Sequence, residues 1–285
     1  MSVNYLEPGS IYEALALLAE YGSEAKVIAG GTAVMLMLQQ KLIAPEILIS
    51  LERLPDLDSI RKESKGLFLG PRTLIGSIER SAVINQGYRA LATACHKVGN
   101  VRIRNQATIG GNLAEADYAS DPPTALLALD ASVKVSSLTG SRTLPLREFF
   151  LGFYTTALEG NELITGIFIP ELPAHSQSTY IDFKSRSTED RPCVGVAALA
   201  TFDEDICIDL RVAVGAACDA PRRLLQVEAQ ARGVPLTDQL IGDIAEGYAE
   251  GIETLDDLRG SAWYRTEMIR IHVKRALQEL RNDHR

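Results

Sequence analysis

The sequence is poor in the residues that would support metal or redox chemistry unaided. Its 285 residues include four cysteines, Cys95, Cys193, Cys207 and Cys218, and four histidines. The cysteines are far apart and form no Cys-x-x-Cys pair, which excludes a locally encoded zinc site or iron–sulfur cluster. Such scattered thiols fit buried positions in a reducing compartment. Basic charge is also short: 29 Lys and Arg face 37 Asp and Glu, giving −8. That balance argues against a nucleic-acid partner. The longest apolar run, Val27 to Leu38, is broken by Gly30, Gly31 and Thr32 and falls short of the ~20 residues of a membrane span. The start, Met1 to Glu7, has neither the basic segment nor the apolar core of a secretory signal. These absences predict a cytoplasmic chain without a membrane span.

Nucleophile motifs are missing as well. There is no Gly-x-Ser-x-Gly elbow, and His96, His175, His272 and His284 follow no metal-ligand spacing. No catalytic acid–base residue and no metal ligand is therefore assigned. The glycine patterns of the dinucleotide fingerprint and of the Walker loop are absent too.

Apolar residues make up 46% and charged residues 23%, a globular composition at a length that suits about two domains. Apolar spacing predicts a helix over 11–21, a buried strand at 26–29, a helix over 33–41 and a strand at 47–51. This strand, glycine turn, helix, strand order is a small α/β unit. A strand and helix follow over 67–80, then a helix over 88–98. Asp121 and Pro122 predict the N-cap and first position of a short apolar helix. Strands are expected at 132–138 and 161–170. Residues 170–177, with two prolines and several small polar residues, mark a boundary. Beyond it come three strands, 179–186, 194–202 and 207–215, and helices over 237–248 and 261–281. This reading divides the chain into 1–173, itself split near residue 56, and 174–285.

Two glycine loops concentrate the chemistry. In Val27-Ile28-Ala29-Gly30-Gly31-Thr32, glycines stand between a buried strand and a helix start, where unhindered backbone N–H groups and a helix dipole suit a phosphate. A tight turn alone would also explain the pair. The second loop, Asn105 to Ala114, repeats adjacent glycines, with Thr108 and Asn112 able to bond phosphate or hydroxyls. Ser120-Asp121 lies a few residues on, where Asp121 caps a helix or binds a hydroxyl-rich ligand. Two such loops suit a diphosphate, and the residues by themselves lead to a dinucleotide-like ligand.

Ala29-Gly30-Gly31-Thr32, the run Arg104 to Asn112, and Ser120-Asp121 together resemble the FAD-binding medium subunit of the molybdenum hydroxylases, which include carbon monoxide dehydrogenase and bacterial xanthine dehydrogenase. The resemblance continues through Glu162-Leu163-Ile164, Ile169-Pro170, Glu189 to Pro192, Val194 to Ala198, Arg259 to Arg265 and Arg275-Ala276-Leu277. It implies an α+β fold: a two-subdomain FAD-binding region, then a C-terminal three-stranded sheet with helices. It also implies FAD held by Val27, Ile28, Ala29, Gly30, Gly31, Thr32, Ala33 and Val34. On the second loop it points to Ala107, Thr108, Ile109, Gly110, Gly111, Asn112 and Ala114. The diphosphate contacts would run largely through main-chain N–H groups. Ser120 and Asp121 would reach the ribityl or adenosine portion, Leu163 and Ile164 would pack near the flavin ring, and Val98-Gly99 would lie beside the adenine.

Two positions depart from the family pattern. Asp182 stands where many relatives have lysine, so Lys184, on the same strand face, becomes the basic candidate. Ala33 stands where relatives often carry an acid or serine. The stretch 184–191 matches a loop near the flavin, with Arg186 as the candidate for gating the electron acceptor. The resemblance implies a molybdopterin-binding large subunit and an iron–sulfur small subunit as partners, in a dimer of heterotrimers, with NAD or another external acceptor. A stand-alone FAD-dependent oxidase and a non-redox assembly subunit are the competing readings.

Overall fold

The computed structural model describes residues 3–188 and 190–284; Met1, Ser2, Glu189 and Arg285 lie outside the described residues. The chain runs β1 (Asn4–Leu6), α1 (Ile11–Tyr21), β2 (Ala25–Ile28), α2 (Val34–Gln39) and β3 (Ile47–Ser50). These strands form a parallel sheet in the order β1-β3-β2. Helix α1 starts where the Ser10 hydroxyl accepts the Glu13 N–H, a standard N-cap. Its Ala14, Leu15 and Leu18 pack with Ile47, Ile49, Leu51, Leu54 and Leu57 into the first lobe's core.

The second lobe contains β4 (Ile60–Glu63), β5 (Gly66–Leu69), α3 (Ile75–Arg80), α4 (Ala82–Gly87), α5 (Arg89–Lys97) and α6 (Val101–Arg104). It continues with α7 (Ile109–Glu115), α8 (Asp121–Ala128), β6 (Ser132–Ser137), β7 (Gly140–Pro145), α9 (Leu146–Phe149), β8 (Phe150–Gly152), β9 (Thr155–Thr156) and β10 (Leu163–Pro170). Its sheet is antiparallel in the order β4-β5-β10-β6-β7. Helices α5, α7 and α8 supply most of the helical side of its core, through Leu91, Cys95, Leu113 and Leu126. Strand β10 serves both lobes, since Leu163 belongs to the first core and Ile164 to the second.

The remaining elements are β11 (Ser176–Phe183), β12 (Val194–Asp203), β13 (Ile206–Gly215), β14 (Arg222–Arg223), α10 (Leu225–Glu228), α11 (Asp238–Gly251) and α12 (Ala262–His284). The sheet is antiparallel, with three long strands and a two-residue fourth, β14, at its edge. Both of its faces are covered. Tyr180, Ala197, Leu199 and Ala213 join the second lobe's core, whereas Val196, Ala198, Val212 and Val214 pack with residues of α11 and α12. That accounts for the unbroken apolar run of β12, because a strand buried on both sides need not alternate. The arrangement is α+β.

Local readings needed correction in two places. The N-cap of α8 is Ser120, not Asp121, which lies inside the first turn with both prolines behind it. Strand β11 ends at Phe183, so Lys184 sits just past it at the start of the turn.

Candidate functional site

The two glycine loops touch. A Cβ placed on Gly30 would lie 1.7 Å from the carbonyl oxygen of Gln106 and 3.3 Å from the Cα of Ala107. Glycine is required here because another stretch of backbone fills the side-chain space. Gly31 is glycine for a different reason: its φ of +70° belongs to the left-handed region. Past it the chain turns into α2, and the backbone N–H groups of residues 30–34 find no acceptor among the described residues. Successive unpaired amides at a turn form an anion-binding concavity. Thr32, Ala33 and Val34 are half-buried, as is Ala29, whereas Ile28 is buried below them.

The second loop spends its amides differently. Ile109 N–H bonds to Thr73 O at 2.9 Å and Gly110 N–H to Pro71 O at 2.8 Å. Gly111 N–H reaches the Thr108 hydroxyl at 3.2 Å, capping α7. Ala107, Thr108, Ile109 and Gly110 are buried, while Gly111 and Ala114, three apart on one face of α7, are exposed. This corner therefore presents a small-residue face where the first loop presents donors. Asn112 turns to Ser120, with Nδ2 donating to Oγ at 2.8 Å, which ties α7 to the entry of α8. Leu163 and Ile164 lie at the seam between the lobes, each 6% exposed.

Asp121 is the buried charge of the site. It is 5% exposed, and Oδ1 accepts a hydrogen bond from the Tyr180 hydroxyl at 2.7 Å. Burial pushes its carboxyl up from 3.8 to about 7, the Tyr180 bond opposing the shift and Asp182 adding to it. A carboxyl that titrates higher when folded binds its proton preferentially in the folded chain, so it costs stability as pH rises from about 4 to 7. Asp121→Asn is thus expected to raise the thermal midpoint at pH 8 and to leave it nearly unchanged at pH 4, checked by scanning calorimetry.

Lys184 is 11% exposed at its side chain and lies 3.5 Å from Asp182, with Nζ donating to Thr188 O at 3.0 Å. Asp182 also pairs with Lys97 of α5 at 3.1 Å. Arg186 is exposed and forms no ion pair among the described residues. The loop it belongs to is held at its ends by the Ser185 hydroxyl on Arg259 O at 2.5 Å and by Arg191 to Asp117 at 3.1 Å. The network of Tyr118, Asp257, Arg259 and Arg265 behind this loop escaped sequence reasoning. Only the run Arg259 to Arg265 pointed to it.

Two lobes joined by touching loops, with free amides on one side and a small-residue face on the other, define a dinucleotide-binding protein. Residues 1–172 match the family described as the FAD binding domain in molybdopterin dehydrogenase, and residues 179–280 match the CO dehydrogenase flavoprotein C-terminal domain. The chain is 34% identical to the 6-hydroxypseudooxynicotine dehydrogenase complex subunit alpha of Paenarthrobacter nicotinovorans, covering 97% of this chain and 93% of that one. It is 31% identical to the glyceraldehyde dehydrogenase medium chain of Sulfolobus acidocaldarius, over 97% and 98% of the two chains. Its fold superposes on a chain of Hydrogenophaga pseudoflava carbon monoxide dehydrogenase with a TM-score of 0.94, at 32% identity, covering 98% and 96%. The chain belongs to the FAD-binding medium subunits of the molybdenum hydroxylase family. It is an FAD-binding oxidoreductase subunit. No helix among the described residues is long and apolar enough to cross a membrane.

Proposed function

We propose that this chain is the electron outlet of a multi-subunit molybdenum hydroxylase. It would receive electrons from iron–sulfur clusters of a small partner subunit and deliver them through FAD to an external acceptor. Substrate would be oxidised at a molybdopterin-binding large subunit. When bound, FAD supplies the exchange between one-electron and two-electron chemistry that the polypeptide lacks. The observation that carries the reading is the run of five unpaired amides at residues 30–34, on a loop whose Gly30 packs against the backbone of the second glycine loop.

The residues have separable tasks. Residues 27–34 would hold the diphosphate through amides, while Gly111 and Ala114 leave room for it along α7. Asp121 would accept a ribityl or ribose hydroxyl. Leu163 and Ile164 would exclude water beside the ring, and Arg186, exposed on its loop, would meet the acceptor. Residues 1–173 would form the FAD-binding region and 174–285 the domain that closes against it. All four cysteines are buried, and burial favours their protonated thiols.

The test is reconstitution. The purified full-length chain loaded with FAD should reduce neither NAD nor a dye when offered candidate substrates alone, and should do so once co-purified large and small subunits are added. Substrate turnover by the chain without partners would identify a self-contained oxidase and overturn the proposal.

A further inference from the structure

Asp121 obtains no hydrogen bond from the helix that carries it. The first turn of an α-helix normally offers free backbone N–H groups, but the residues following Asp121 are Pro122 and Pro123, which have none. Among the described residues, Oδ1 takes one donor, the Tyr180 hydroxyl, and Oδ2 takes none. Tyr180 is contributed by β11 of the C-terminal sheet, 59 residues along the chain. Its hydroxyl is seated by a glycine: a Cβ on Gly195, in the neighbouring strand β12, would lie 2.5 Å from it.

We infer that Tyr180 is a positioning residue for FAD: its hydroxyl fixes the Asp121 carboxyl so that the second oxygen faces the cofactor, and the C-terminal domain thereby sets how tightly FAD is held. The inference rests on the proposed contact of Asp121 with an FAD hydroxyl. A buried carboxylate without donors protonates and turns; one with a single fixed donor keeps one oxygen committed and the other directed. The charged and titratable groups facing Asp121 are few. From β11 and its extension come Tyr180, Asp182 and Lys184, and from α5 come Lys97 and the buried thiol of Cys95. Asp182 is neutralised by its two lysines at 3.1 and 3.5 Å, which leaves the Tyr180 bond as the direct contact on the carboxyl.

The expected pH behaviour follows. Asp121 titrates at about 7, so FAD affinity of the wild-type chain should rise as pH passes through that value and the acceptor form appears. Tyr180→Phe removes the donor that favours the carboxylate and should weaken FAD about tenfold near pH 7.5. It should also move the rise to higher pH. Gly195→Ala, which displaces the hydroxyl without deleting it, should shift the rise in the same direction. Asp121→Asn, whose amide oxygen can still accept from Tyr180, should abolish the pH dependence.

The experiment is FAD titration of the full-length chain, followed by flavin fluorescence from pH 5.5 to 8.5, for the wild type and the three variants. Thermal midpoints without FAD would be measured in parallel. An unshifted pH profile in both Tyr180→Phe and Gly195→Ala overturns the inference, even if affinity falls uniformly, because loss of packing alone would do that. A wild-type pH dependence that survives in Asp121→Asn overturns it as well. Should Tyr180→Phe fail to fold, the other two variants decide. A wild-type chain that binds no FAD would instead refute the functional reading itself, an outcome distinct from the others.

Discussion

Gly30→Ala is expected to yield a chain that holds almost no FAD and unfolds at distinctly lower denaturant. The added methyl would sit 1.7 Å from the Gln106 carbonyl oxygen and 2.7 Å from its carbon. Both obstacles are backbone, so the loops must part for the variant to exist. Overpacking of this kind costs about 1–3 kcal/mol, and more where the neighbours cannot move. Affinity should fall by about a hundredfold or more, since about 2.7 kcal/mol of misplacement suffices. Two neighbouring glycines serve as comparisons. Gly31→Ala meets nothing nearer than 3.4 Å but must adopt a φ of +70°, so its cost is conformational, about 1 kcal/mol. Gly111→Ala approaches the Thr108 cap hydroxyl at 2.9 Å on an otherwise open face. Urea midpoints and FAD titrations of the three would show whether the damage follows backbone contact, as argued, or merely the loss of any glycine.

Arg265→Met is the second large effect, and it lies away from the cofactor loops. Arg265 has no exposed surface, and its guanidinium donates to Cys193 O at 2.5 Å, to Ala216 O and to Asp257 Oδ1 at 2.5 Å. It thereby joins the start of β12, the end of β13 and the loop before α12. Methionine fills much of the space but satisfies none of these oxygens. Asp257 keeps Arg259 and the Tyr118 hydroxyl. The buried carbonyls of Cys193 and Ala216 lose their donor, at about 1–3 kcal/mol for each acceptor left unsatisfied, which a urea titration would read directly. The pH profile supplies a separate check. Burial tends to raise the Asp257 carboxyl, but the Arg259 amide, the Tyr118 hydroxyl and Arg265 outweigh it and hold the group at about 2, below its ordinary 3.8. A carboxyl lowered on folding stabilises above its unfolded value, and that contribution is lost as pH falls from about 4 toward 2. Arg265→Met should flatten this acid limb by bringing the folded value back up.

The residues differ in how far their roles could be read from sequence. Helix α1 was legible because its apolar residues recur on one face. The double burial of β12 was legible as a continuous apolar run. Strand β1 was not, since three residues, two exposed and one half-buried, carry no period, and β7 was hidden because its sequence, GSRTLP, is mostly polar and exposed. Both glycine loops stood out, but the division of labour between them did not. Whether a glycine serves a ligand, a left-handed φ or another backbone depends on what lies opposite. The Asp121–Tyr180 bond joins residues 59 apart, and local reading placed Asp121 at the cap because an aspartate directly before a proline that opens an apolar run is the usual N-cap pattern. The lysines showed the same limit. Lys184 is close to Asp182 as strand spacing suggests, yet it spends its charge on that neighbour.

Strand β10 carries a consequence for dissecting the molecule. Leu163 closes the interior of the N-terminal lobe from more than a hundred positions downstream of that lobe's last strand. A fragment ending near residue 56 would be missing one wall of its own centre, so the lobe is not a transplantable module. Grafting it onto another scaffold, or expressing it as a minimal flavin carrier, would require bringing that leucine along.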